Sequence, residues 1–191
     1  MRISFQRGMR GFTLIEVAIV AAIVLITAII GIPAINTYVI ENKVPKVGQD
    51  LQRFVARVKV ASQGLGNTPY AEMNNAQLVS GLRGSSVVSI AGSGAAAVVQ
   101  HGLGAASGRI VAGPASIMTA SDAFSLTLDQ LNGAACPGLA AVMQRVAERI
   151  TVNGQEVKQP GAGGEQGRFS VAAVEEACAE GDANTLVFVT R

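Results

Sequence analysis

The chain has 191 residues, 49% of them hydrophobic but only 4% aromatic, with a formal net charge of +2. This length suits one ordinary domain plus a membrane segment and argues against two full domains. With no Trp, six Phe and two Tyr, the soluble part must build its core from small aliphatic side chains, which bury less area and make a covalent staple more useful.

Much of the hydrophobicity lies near the N-terminus. From Phe12 to Ile32 the sequence reads FTLIEVAIVAAIVLITAIIGI, and Glu16 is its single charge. A helix of this length spans ~31 Å, the thickness of a bilayer's hydrocarbon core. Arg2, Arg7 and Arg10 precede it, with no acidic residue before Glu16. Positive charge on that side holds the N-terminus in the cytoplasm and sends the remainder outward. A secretory signal peptide would carry a shorter apolar region ended by a small-residue cleavage site. None closes this run; Gly11 stands before it instead. A plain signal anchor explains the length and the arginines but not Glu16, since a carboxylate in a membrane is costly and calls for a partner.

Cys136 and Cys178 are the only thiols. Their separation excludes a CxxC redox motif and a multi-cysteine zinc site. Two unpaired thiols would suit a cytosolic protein, but export into an oxidising compartment reads the pair as one disulfide. Closing a loop of about forty residues is worth ~4 kcal/mol on the chain-entropy view.

The segment Arg10-Gly11-Phe12-Thr13-Leu14-Ile15-Glu16 resembles the prepilin peptidase site of type IV pilins and their pseudopilin relatives. The resemblance implies cleavage between Gly11 and Phe12, methylation of the new amine of Phe12, and a mature chain of 180 residues. It also matches Glu16 with the glutamate that family members carry four residues beyond the cut. Elementary chemistry gives each residue a role. Gly11 lets a protease approach the backbone closely. The cationic amine of mature Phe12 sits in or beside hydrocarbon, where the Glu16 carboxylate of a neighbouring subunit can offset it and set axial register. Pro33 falls where many family members carry a helix-disturbing proline, so Gly31-Ile32-Pro33 predicts a kink or local melting. A simple marker of the membrane exit is an equal alternative.

The resulting expectation is a leader at 1–11, a transmembrane and filament-core helix at 12–33, an amphipathic half-helix at 34–63, and an α+β head at 64–191. Val44, Val47, Leu51, Phe54, Val55, Val58 and Ala61 recur at helical spacing, with Gln49, Asp50, Gln52, Arg53, Arg57 and Lys59 on the other faces. Pro45 suits a first turn, so this second half-helix should start near Lys43 and stop at Gly64. Its stripe is expected to cover a β-sheet. Gly64 to Tyr70 reads as a loop, and Met73 to Leu82 as a short helix. Short strands are expected at Val87-Val88, Val98-Val99 and Ile110-Val111, and a further strand at Phe124 to Leu128. Gly102 to Gly108 lacks the ending and frame of a phosphate cradle and reads as a flexible turn. A helix from Gly138 to Arg149 follows Cys136-Pro137. Ile150-Thr-Val152, Asn153-Gly154 and Gln155-Glu-Val157 form a hairpin, because Asn-Gly favours a type I′ turn. Gln159 to Gly167 is a glycine-rich loop, Val171 to Cys178 a helix, and Thr185 to Thr190 a terminal strand. This order predicts an α+β class in which the long N-terminal helix packs on an antiparallel sheet.

The C-terminal half is similar to the type IVb, PilS-like pilins. Leu126-Thr-Leu128 before Cys136, the Ile150-Thr-Val-Asn-Gly154 hairpin, Cys178 and Thr185-Leu-Val-Phe-Val189 carry that similarity. The leader departs from it, being short and followed by Phe rather than Met or Leu.

His101, the sole histidine, is expected in a solvent-exposed loop, and a Ser-His-Asp set with Asp122 has no nucleophile motif behind it. No His/Cys/Asp cluster offers a metal site, no cofactor is implied, and Glu175-Glu176 reads as a solvated helix face. Without its leader the chain carries twelve basic against thirteen acidic residues, which does not support nucleic-acid binding. The expected function is a non-enzymatic structural subunit of an extracellular filament. The resemblance implies as partners further copies of the chain, a prepilin peptidase, and an inner-membrane assembly platform with a cytoplasmic ATPase. A minor pilin or type II secretion pseudopilin is the nearest alternative, and a membrane-anchored periplasmic binding module the alternative of another class.

Overall fold

The computed structural model describes residues 11–161 and 167–191, without the side chains of residues 33 and 34. The leader up to Arg10, and the middle of the glycine-rich loop expected after Gln159, lie outside the described residues. The chain divides into two compact units, Met1–Tyr38 and Val39–Arg191.

The first element, α1 (Leu14–Ala61), is a single helix. It continues through Gly31, Ile32 and Pro33, so neither local melting there nor a fresh start near Lys43 is seen. The second half-helix expected from the sequence is the continuation of the first. Pro45, assigned to a first turn, lies inside the helix instead. A proline there withholds one donor, and the Glu41 carbonyl left over belongs to an exposed residue that water can reach, as is Pro45 itself.

In the second unit, Val44, Val47, Leu51, Phe54 and Val55 of α1 are buried, and Val58 packs against the same core. Ala61, placed on this stripe by its spacing, is exposed. The partner layer is a seven-stranded antiparallel sheet. Its strands are β1 (Ser89–Ala91), β2 (Val98–Gln100), β3 (Arg109–Ala115), β4 (Ala123–Leu131), β5 (Arg149–Val152), β6 (Gln155–Lys158) and β7 (Asn184–Thr190), in spatial order β1-β2-β3-β4-β7-β5-β6. Alternate residues of the central strands (Leu126 and Leu128 of β4, Leu186 and Phe188 of β7) join the stripe of α1 in one core. Phe54 meets Phe124 edge to face, with ring centroids 6.2 Å apart. Three of the six phenylalanines are among the largest fully buried side chains, so the aliphatic core is organised around a few rings.

Three helices complete the head: α2 (Asn75–Leu82), α3 (Cys136–Met143) and α4 (Val171–Ala177). Two of them, α2 and α3, correct a boundary expected from the sequence. Asn74 starts α2 two residues later than expected, its side chain accepting from the Ala76 amide at 2.8 Å while Gln77 accepts from its own amide at 3.0 Å. This reciprocal cap fixes the N-terminus. The expected strand at Val87-Val88 is displaced to β1 because Ser85 Oγ accepts from both valine amides at 3.2 Å and holds a turn there.

The helix expected to reach Arg149 stops at Met143. Beyond it, the carbonyls of Gln144 and Ala147 accept from Lys158 Nζ, and that of Val146 accepts from Thr190 Oγ1 at 2.8 Å. Donors from two strands thus replace the next helical turn. At this same end of α3 the close approach to α1 needs a glycine. A β-carbon on Gly48 would lie 2.5 Å from Val142 Cγ1.

The hairpin β5–β6 forms as expected, with Asn153 and Gly154 at φ 51° and 86°, the left-handed pair of a type I′ turn. Cys136 and Cys178 are bridged, with their Cα atoms 6.1 Å apart. Beside them, Asn184 is fully buried. Its Oδ1 accepts from Asn153 Nδ2 at 2.8 Å and from the Ala179 amide at 2.7 Å, while its Nδ2 donates to the carbonyls of Leu131 at 3.1 Å and Ala179 at 2.8 Å. Every hydrogen-bonding capacity of this amide is used, which is the condition for burying it.

Candidate assembly and processing site

Between Leu14 and Ile35 the helix presents large apolar side chains on all sides. Leu14, Ile19, Ile26 and Ile30 are each more than half exposed. The helix is long and apolar enough to cross a membrane by length and composition. A helix apolar all round is stable only where lipid or other helices surround it. This unit therefore lacks its natural environment until something covers it.

Gly11 and Phe12 lie just before α1 and are exposed, and nothing approaches within 4 Å of where a β-carbon on Gly11 would sit. The backbone at the expected cleavage bond is open. Phe12 and Glu16 line one open groove with Val20 and Val24; Glu16, Val20 and Val24 follow one another along α1 at a spacing of four, and Phe12 stands just before the helix.

Glu16 is held by its own chain. Its Oε2 accepts from the Thr13 amide and from Thr13 Oγ1, both at 2.9 Å, and the Glu16 amide donates to Thr13 Oγ1 at 3.3 Å. Thr13 is the N-cap of α1 and Glu16 the third helical residue, so the two form a capping box. The signal for it, Thr-x-x-Glu, is present in the sequence at Thr13-Leu14-Ile15-Glu16.

The structure unites Cys136 with Cys178, and Phe12 with Glu16 along one groove. It does not unite His101 with Asp122 in a catalytic set. Asp122 accepts from the amides of Ile117 at 2.8 Å, Met118 at 3.0 Å and Thr119 at 3.2 Å, closing the turn between β3 and β4. Burial opposes its ionisation, but these amides and Arg191 outweigh it and hold the carboxyl below its usual range. Glu175 and Glu176 are exposed on α4. Among the described residues, no group of three His, Cys, Asp or Glu side chains is placed to hold a metal ion.

His101 corrects the sequence reading, for it is fully buried rather than solvent-exposed. Its Nδ1 accepts from the Leu103 amide at 3.0 Å, which leaves Nε2 to donate to the Asp129 carbonyl at 2.8 Å. The loop after it is pinned. Leu103 is buried, Gly104 bridges to Leu131, and the Asn132 amide donates to the Leu103 carbonyl at 2.9 Å. Burial draws the imidazole below its ordinary value, and the Asp129 carbonyl and carboxylate oppose this only in part.

A histidine kept neutral by folding stabilises the native state fully above its unfolded value of about 6.5, and that contribution is lost as the pH falls towards the lower folded value. Asp129 and Arg109, 3.4 Å apart, and Lys43, 3.5 Å from the Gly102 carbonyl, are the charged groups nearby. The urea midpoint of the chain is expected to fall between pH 7 and 5 more steeply than that of a His101→Gln variant. Parallel pH profiles would show that His101 does not carry this dependence.

The sequence pattern of the PilS family, described as PilS N terminal, matches residues 101–191. No curated protein matches the chain. Among solved structures, the chain is similar to the type IV b pilin from Salmonella typhi, with a TM-score of 0.53 and 18% identity over 77% of this chain and 96% of that one. It is likewise similar to TcpA, a type IV pilin from Vibrio cholerae El Tor biotype, with a TM-score of 0.51 and 17% identity over 78% of this chain and 99% of that one. Identities this low speak for the fold, and the match over residues 101–191 speaks for the head. By both, the chain has the fold of the type IV pilins, and its residues 101–191 are PilS-like.

Proposed function

We propose that this chain is a filament-forming pilin, inserted once in the inner membrane with its N-terminus in the cytoplasm and then assembled with copies of itself into an extracellular pilus. A prepilin peptidase cuts the 1–11 leader after Gly11, and the new amine of Phe12 is methylated. An assembly platform with a cytoplasmic ATPase then moves the 12–33 segment from lipid into the filament. The observation that carries this reading is the exposed apolar helix with one carboxylate near its start. Lipid covers that surface first, and the same surfaces of sister subunits cover it afterwards.

Heads covalently closed by the disulfide form the outer wall. The role is structural, with adhesion, aggregation, conjugation or motility as the uses of the filament. Intact-mass measurement on the membrane form tests the reading. The expected species begins at N-methylated Phe12, and purified filaments contain it as a major component. A membrane form that retains Met1 would identify a plain anchor and overturn the proposal.

A further inference from the structure

The capping box asks why a carboxylate that must serve a neighbouring amine is already bonded inside its own chain. Both Thr13 bonds fall on Oε2, while Oε1 accepts nothing among the described residues. Glu16 is thus half satisfied and half open. A glutamate has three rotatable side-chain bonds, and a free one within a membrane would extend its carboxylate towards the polar interface, as long charged side chains do. Two bonds to Thr13 remove that freedom. They hold the carboxylate over the first turn, in the groove that Phe12, Val20 and Val24 line, with one oxygen left for an incoming cation.

We propose that Thr13 is a positioning residue for subunit addition, its hydroxyl orienting the Glu16 carboxylate so that Oε1 faces the amine of the next subunit. This rests on the pilin reading above. Thr13 need not touch the partner. It lowers the cost of carrying an ionised carboxylate through hydrocarbon, since bonds donated to an ion replace lost water, and it spares the incoming subunit the ordering of that side chain. The Thr13 amide bonds the carboxylate too, but the hydroxyl alone also accepts from the Glu16 amide and so closes the box.

Thr13→Val keeps the shape and β-branching while removing the hydroxyl, and Thr13→Ser restores it. Each full-length variant is co-expressed with the wild-type chain in the native assembling cell, with Glu16→Ala as a third arm. Intact mass then reports leader removal in the membrane pool, and the variant's share of sheared filaments reports incorporation. Thr13→Val is expected to be cut and inserted normally yet to incorporate about ten-fold less, the effect of losing one charge-assisted bond. Thr13→Ser is expected to stay within about two-fold of the wild type, because its hydroxyl makes the same bonds.

Wild-type incorporation by Thr13→Val overturns the proposal, as does a serine variant that fails equally. A valine variant that retains its leader also overturns it, placing Thr13 in peptidase recognition instead. Normal incorporation of Glu16→Ala is a different failure, for it removes the role of Glu16 and the pilin reading's account of assembly with it.

Discussion

Glu16→Ala is expected to abolish filaments while leaving the chain cut, inserted and folded. Glu16 is the only charge between Phe12 and Ile32, and a carboxylate in the membrane interior costs ~3 kcal/mol on insertion scales. Removing it therefore favours insertion. Assembly is affected in the opposite direction. The amine of mature Phe12 enters a packed apolar bundle, and leaving one ion there without its partner costs ~3–5 kcal/mol. That is at least a hundred-fold in an association constant, enough to take sheared filaments below detection. Comparing the sheared surface fraction with the membrane fraction checks this, and the head's urea midpoint should not move. Normal piliation by Glu16→Ala would leave the carboxylate without its assigned purpose.

The second large effect lies in the head. Replacing Cys136 and Cys178 together by alanine is expected to cost ~4 kcal/mol of stability, from the freedom regained by a denatured chain whose cross-linked residues are 42 apart. Against the 5–15 kcal/mol of a typical domain, this is a large fraction. The bridged segment includes α3, β5, β6 and α4, and Cys136 is itself fully buried. Asn184, Asn153 and Lys158 still hold that segment through hydrogen bonds, so the fold should persist at low temperature and fail on warming. Urea titration of the detergent-solubilised chain with and without the pair measures the difference. A loss below about 1 kcal/mol would mean that these side chains, and not the bridge, secure the C-terminal segment.

Much of this was legible in the sequence because the signals are local and strong. A run of apolar residues with basic flanks predicts a membrane segment regardless of the rest of the chain. The stripe from Val44 to Val58 gave the buried face of α1, and Asn153-Gly154 fixed its turn, because Asn-Gly readily takes the left-handed pair of a type I′ hairpin. The alternation in β4 and β7 places both strands within three residues of their observed ends. The type IV pilin fold and the PilS-like head followed from motifs of this kind.

The misplaced features share a different origin. Helix α3 has a good pattern as far as Arg149, yet Lys158 and Thr190, distant in sequence, take the carbonyls that another turn would need. His101 lies among glycines and alanines and so reads as exposed, but the bulged end of β4 brings the Asp129 carbonyl to its Nε2. Pro45 reads as a helix start and is an interior residue, because the packing of Val44, Val47 and Leu51 on the sheet outweighs one lost bond.

The sequence by itself thus determined what the chain needs: an apolar rod that must be covered, one carboxylate within it, two cysteines and an antiparallel α+β head. Tertiary structure alone decided where α3 ends, that His101 is buried and neutral, and that Asn184 binds the bridged segment to β4. The reason is physical. Periodicity and turn chemistry act over a few residues, whereas a buried polar group is settled by whichever donors and acceptors the fold brings to it.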